Sequence, residues 1–189
     1  MMPQRLQREE YLKKLIAFQD KNIIKIITGI RRCGKSTLME IFQDHLRSTG
    51  VENSQILHIN FEDFDYRPLR DPAALHSYIT ERMARNRMTY VFLDEIQHVP
   101  DWQDVVDSLH LRKNLDIYIT GSNAYLLSSE IATLISGRYV EIKMLPLSFR
   151  EFVSATDGEA NLPKAYRQYV ESSSFPYALA LLDHPKELR

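Results

Sequence analysis

Residues 29–36 read Gly29-Ile30-Arg31-Arg32-Cys33-Gly34-Lys35-Ser36, the pattern G-x-x-x-x-G-K-[ST]. No other stretch restricts so strongly what this chain can fold into. The run before it, Ile23-Ile24-Lys25-Ile26-Ile27-Thr28, is β-branched and apolar, as a buried parallel strand requires. The run after it carries Leu38, Ile41, Phe42 and Leu46 at helical spacing. A glycine loop between strand and helix curls successive backbone N–H groups around one anionic centre, and the helix aims its positive end at the same point. Lys35 is then placed to reach the β- and γ-phosphates of a nucleotide, and the Ser36 hydroxyl to hold Mg²⁺. Gly29, Arg31, Arg32, Cys33, Gly34, Lys35, Ser36 and Thr37 form the expected nucleotide-binding set. The competing reading is a glycine turn that happens to precede a helix.

A second pattern lies downstream. Thr89-Tyr90-Val91-Phe92-Leu93 reads as a strand that runs into Asp94-Glu95. Alone, apolar residues before two acids are a weak signal. Beyond a phosphate loop they read as a Walker B motif, with Asp94 on Mg²⁺ and Glu95 polarising the attacking water as general base. The competing reading is an exposed acidic strand end. A further strand, Leu115 to Thr120, leads into Gly121-Ser122-Asn123. Ligands of open α/β sheets bind at the carboxyl ends of strands, so Thr120, Ser122 or Asn123 is placed to touch the γ-phosphate or orient the water. A turn that simply needs Gly and Asn competes with this at each position.

The other elements complete an alternating pattern. Arg5 to Phe18 predicts a short amphipathic helix over the sheet edge beside the first strand, its charges on a solvated face. Gly50 ends the helix after the loop. Gln55 to Phe61 is a second strand, and Asp71-Pro72 opens a helix with Leu75, Ile79 and Met83 on its apolar stripe. Glu62 to Arg67 between them reads as a surface loop. Asp101 to Leu111 and Ser129 to Ile135 read as helices, and Arg138 precedes a fifth strand, Tyr139 to Ile142. Ser148-Phe149-Arg150-Glu151 is a capping box, followed by a polar link from Thr156 to Pro163 and helices over Tyr166–Val170 and Pro176–Leu182. Strands alternating with helices predict a parallel sheet with right-handed crossovers. Residues 1–145 are thus expected to form a P-loop α/β domain, and 146–189 the start of a small helical unit.

Composition narrows the partners. The formal net charge is −1, so nothing global draws the 189-residue chain to nucleic acid or anionic lipid. Arg31-Arg32 and Arg82, Arg85 and Arg87 are expected to be solvated rather than phosphate-tracking. A single cysteine excludes an intrachain disulfide and a cysteine zinc site. Cys33 lies beside Lys35 and a helix start, surroundings that can lower a thiol's pKa, against an inert, partly covered side chain. No apolar run approaches membrane-spanning length and the N-terminus lacks a signal-peptide core, so membrane insertion is not expected and the cytoplasm is the expected location.

With both motifs placed, the chain resembles the AAA+ branch of P-loop ATPases. Within it the chain is similar to a large group of bacterial and archaeal ATPases whose nucleotide domain precedes a C-terminal domain of unknown function. The matching stretches are Ile27 to Thr37, Leu93-Asp94-Glu95-Ile96-Gln97-His98-Val99-Pro100-Asp101-Trp102, Thr120 to Ala124, and Ser136-Gly137-Arg138 leading to Leu145-Pro146-Leu147-Ser148-Phe149-Arg150-Glu151-Phe152. The resemblance implies a five-stranded parallel sheet of order 5-1-4-3-2, and ATP with Mg²⁺ as ligands. It implies that nucleotide state drives a conformational change. It also implies a sensor-one role for Asn123 or the adjacent Ser122, a hold by Asn60 on the catalytic Glu95, and an arginine finger at Arg138. The structural alternative for Arg138 is a cap on the helix ending at Ile135. Proteins of this type extend well past this length, and Ser174-Phe175-Pro176-Tyr177 looks like the opening of a further domain. The expected activity is Mg-dependent ATP hydrolysis. A small-molecule kinase and a nucleotide-loaded switch with little turnover are the alternatives. A second copy of the chain, another protein or a nucleic acid are the partners left open.

Overall fold

The computed structural model describes residues 6–122, 137–156, 158–172 and 174–176. Strand β1 (Ile24–Gly29) is buried at all six positions. It pairs in parallel with β4 (Leu115–Ser122) on one side and β5 (Tyr139–Met144) on the other. Beyond β4 come β3 (Thr89–Asp94) and then β2 (Ile56–Asn60), giving the all-parallel order β2-β3-β4-β1-β5. This is the order the resemblance implies. Every strand points the same way, so Gly29, Asn60, Asp94, Ser122 and Met144 end along one edge of the sheet.

Period-two alternation divides the core into two layers. Ile24, Ile26, Val91, Leu93, Ile117 and Ile119 face a layer with Leu75 and Ile79 of α3 (Pro72–Arg82) and Trp102, Val105, Val106 and Leu109 of α4 (Trp102–His110). Ile27, Tyr90, Phe92, Tyr118 and Ile142 face the other layer, with Leu15 of α1 (Glu9–Phe18) and Leu38, Met39, Phe42 and Leu46 of α2 (Lys35–Ser48). The Phe92 and Tyr118 rings stack at 4.9 Å, and Phe42 of α2 lies 4.9 Å from Tyr118. The loop-bearing strand is thereby fixed from both faces.

Local chemistry sets the element ends. The Asp71 carboxylate accepts from Ala74 N at 2.8 Å, with Pro72 opening α3. Gly50, at φ 97°, follows the end of α2; Gly50 N donates to Arg47 O at 3.1 Å and Val51 N to Leu46 O at 3.0 Å, a Schellman closure. Ser148 and Glu151 form the capping box that opens α5 (Phe149–Ala155). The Phe149 and Phe152 rings of α5 meet Tyr169 of α6 (Leu162–Ser172) at 5.6 and 5.4 Å.

Several boundaries differ from the sequence expectation. The first helix begins at Glu9, because Arg8 turns to a left-handed φ of 46°. Gln55 belongs to a 3-10 turn before β2, where its side chain donates to Met88 O at 2.8 Å. The link after β2 contains a 3-10 segment, Phe64–Arg70, and α6 is longer than the predicted Tyr166–Val170. The predicted helix over 129–135 lies outside the described residues, as do positions 177–182 of the last one. At the amino ends of β1 and β4, Lys25 pairs with Asp116, both buried. Asp116 also accepts from Tyr118 OH at 2.8 Å and Asp20 N at 2.9 Å. Burial pushes Lys25 below and Asp116 above their ordinary ranges. Among the described residues no helix is long and apolar enough to cross a membrane.

Candidate nucleotide site

The loop leaving β1 is built for close backbone approach. A Cβ on Gly29 would come within 2.5 Å of Met144 O and 2.7 Å of Cys33 Sγ, so the position requires glycine. The chain turns through a Cys33 N to Ile30 O bond of 3.2 Å and reaches Gly34 at φ 99°, the residue preceding α2. Neither a side-chain cap nor an acid occupies the first turn of α2. The leading N–H groups of the helix, those of Ser36 and Thr37 among them, therefore remain available to an anion. Arg31 and Arg32 point their side chains to solvent, Arg31 toward Glu62 at 3.4 Å.

Lys35 is 4% exposed, with Nζ 3.4 Å from Gly29 O and 3.5 Å from Glu95 Oε1. It thus bridges the loop to the end of β3. Asp94 is fully buried. Its Oδ1 accepts from Thr120 Oγ1, and its Oδ2 is a buried acceptor with no partner. An orphaned carboxylate oxygen inside a site fits a hard cation or its water, and the Ser36 hydroxyl is the other oxygen the motif supplies. No group of three or more His, Cys, Asp or Glu side chains placed to hold a metal ion by themselves occurs among the described residues.

Glu95 takes a left-handed backbone, φ 55°, and leads into the 3-10 turn Ile96–His98. Its N–H donates to Thr120 Oγ1 at 2.9 Å, and its Oε2 accepts from Gln97 Nε2 at 2.6 Å. Thr120 is buried and touches both acids at the end of β3, Asp94 through Oδ1 and Glu95 through its backbone. Asn60 sits opposite Asp94 in register, but its Oδ1 accepts from Glu62 N at 2.9 Å. The side-chain bond to Glu95 is made by Gln97, which the motif contained and spacing alone did not single out.

The remaining predicted residues divide. Asn123 lies outside the described residues; the backbone of Ser122 pairs with Gly29, beside the loop. Arg138 stands at the amino end of β5, where its carbonyl accepts from Ile24 N at 2.8 Å and its side chain pairs with Asp107 of α4. The loop follows the opposite end of β1, roughly 17 Å along the strands. Of the two readings of Cys33, the structure favours the inert thiol: it is fully buried, and desolvation raises its pKa against the opposing charges of Lys35 and Arg8. Arg8 is a correction to the solvated first helix. It is 5% exposed, and its guanidinium donates to Cys33 O at 3.3 Å and Leu145 O at 2.7 Å. Its Nε lies 2.7 Å from Glu151 Oε1, poorly aligned for a hydrogen bond and hence an ion pair.

Relatives share this sequence. An uncharacterized protein of Haemophilus influenzae is 45% identical over 184 residues, covering 95% of this chain and 46% of that protein. The uncharacterized protein MJ1544 of Methanocaldococcus jannaschii is 33% identical over 175 residues, covering 86% and 37% respectively. The chain thus spans less than half the length of these two relatives. Among solved structures, the Aeropyrum pernix ORC1 protein in complex with DNA superposes with a TM-score of 0.61 at 16% identity, covering 100% of this chain and 62% of that one. This likeness concerns the fold. Residues 21–153 match a family described as an AAA domain. With that match across the loop, both acids and all five strands, the chain belongs to the AAA+ family of P-loop ATPases.

Proposed function

We propose that this chain binds Mg·ATP at the start of α2, hydrolyses it, and uses the change of nucleotide state to move the segments attached to the site. The observation that carries this reading is the 3.5 Å approach of Lys35 to Glu95 across the uncapped helix start. It brings a phosphate-binding cation and a base to one place. In this reading backbone N–H groups of the loop and of the helix start, with the Lys35 ammonium, bind the β- and γ-phosphates. Ser36 and Asp94 would hold Mg²⁺, which neutralises charge on the phosphate oxygens when bound. Thr120 fixes the two acids, and Glu95 takes the proton of the attacking water. Asn123 or Ser122 acts as the sensor of the γ-phosphate, and Arg138 serves a neighbouring copy's site, since it stands at the far end of the sheet from its own. ATP over GTP rests on the family resemblance. Residues 1–145 form the nucleotide domain and 146–189 open a second unit, the whole working in the cytoplasm.

Phosphate release and nucleotide titration test this together. Lys35→Ala is expected to weaken Mg·ATP binding by at least about tenfold, roughly 1.4 kcal/mol. Glu95→Gln is expected to bind normally and turn over at least about a hundredfold more slowly. Unchanged affinity in the first variant removes Lys35 from the phosphates. Undiminished turnover in the second removes Glu95 as the base. One observation favours a switch with low basal turnover as the second reading: both Glu95 oxygens are engaged, by Lys35 and by Gln97.

A further inference from the structure

We infer that Gln97 is the positioning residue for the general base, holding one Glu95 oxygen so that the other is aimed at the attacking water. The inference rests on the reading of Glu95 as that base. Gln97 Nε2 donates to Glu95 Oε2 at 2.6 Å. A carboxylate only accepts, so the amide must present its NH₂ to Glu95, which fixes its orientation and turns Oε1 away. That Oε1 is buried and has no partner. A glutamine kept for structure would have its carbonyl satisfied by the fold; this one is anchored at the end that touches the base.

The turn that carries it is held independently. Ile96 is fully buried and Val99 1% exposed, and Val99 N donates to Ile96 O at 2.9 Å. The left-handed Glu95 backbone, pinned by Thr120, brings the two side chains back over one another. The other Glu95 oxygen lies 3.5 Å from Lys35 Nζ. When phosphates take the Lys35 charge, Oε1 is freed while Oε2 stays on Gln97. Gln97 thus sets which lone pairs meet the water. The charged groups beside the base are Lys35 of α2 and Asp94 at the end of β3, with Glu62 beyond Asn60 bound to Arg31.

The test uses Gln97→Met, which keeps length and removes the donor, and Gln97→Glu, which keeps shape and adds a second anion. Both are compared with the parent and in the Glu95→Gln background. The expected result is a fall in kcat of at least about tenfold, with affinity for Mg·ADP within about twofold of the parent. In the Glu95→Gln background neither substitution is expected to lower the residual rate further. Parent-like kcat in both variants overturns the role of Gln97 and leaves the hydrolase reading intact. An equal fall in the Glu95→Gln background overturns it in favour of a route that bypasses Glu95. Loss of folding in both variants, read from thermal melts, overturns it in favour of a structural role. A parent that binds nucleotide but releases no phosphate overturns the hydrolase reading and this inference with it.

Discussion

Arg8→Ala is the most informative perturbation outside the phosphate loop. The substitution removes a buried guanidinium that donates to Cys33 O and Leu145 O, pairs with Glu151 and covers the Tyr11 ring at 4.7 Å. Breaking a buried ion pair costs about 3–5 kcal/mol when the partner is left alone. Glu151 is not left alone: its side chain is 23% exposed, and Ser148 N still donates to it at 2.8 Å. The lower end applies, about 3 kcal/mol, which includes two carbonyls deprived of a charged donor. Against a typical total of about 5–15 kcal/mol this is a large share, and in a chain of this size it lowers Tm by about 6–12 °C. Urea unfolding at unchanged m-value measures the loss directly. Because one of the lost bonds holds the phosphate loop at Cys33, Mg·ADP affinity is expected to fall by about tenfold, or 1.4 kcal/mol. Arg8→Lys keeps the charge but not the fork, and is expected to recover less than half of either effect. A variant within 1 kcal/mol of the parent by the ordinary precision of such unfolding, with unchanged nucleotide affinity, would show that Arg8 merely occupies this place.

Two further outcomes concern Cys33 and Arg138. Cys33, buried with a raised pKa, is expected to be alkylated at least about tenfold more slowly than a free thiol at pH 8, and to reach the free rate only in denaturant; rapid labelling of the native, nucleotide-free chain would contradict its burial. If Arg138 works on a neighbour, specific activity rises with protein concentration, and Arg138→Ala abolishes the rise without weakening ATP binding; activity flat across dilution leaves Arg138 only its pairing with Asp107.

The parts of the fold and of the candidate site written in contiguous residues were legible. The G-x-x-x-x-G-K-[ST] loop, the Asp94-Glu95 strand end, the Asp71-Pro72 start and the Ser148/Glu151 box each act within a few positions, so spacing carries their geometry. Strand order came from the resemblance, since crossover connections leave no local trace of which strands become neighbours. Arg8 was illegible for a related reason. Its partners stand 25 and 137 positions away, and an arginine near a chain's start looks like any surface charge. Lys25 did leave a signal: a lysine amid β-branched residues is almost never buried without a partner, so the run itself required a carboxylate. Nothing local pointed to Asp116 as that carboxylate. Gln97 stood within a quoted motif, but its bond to Glu95 depends on a left-handed turn that periodicity does not announce.

The strand that carries the loop has its place decided late. Lys25 lies opposite Tyr118 and Ile24 opposite Tyr139, separations of 93 and 115 positions. On a ribosome adding residues at about 5–20 per second, β1 emerges roughly 5–20 s before either neighbour exists. During that interval Ile24, Ile26 and Ile27 have no sheet to enter, and a β-branched segment with open edges is the kind of sequence that chaperones hold. Newly made chains are therefore most vulnerable to misassembly before residue 144 has left the ribosomal tunnel, when β5 completes the frame.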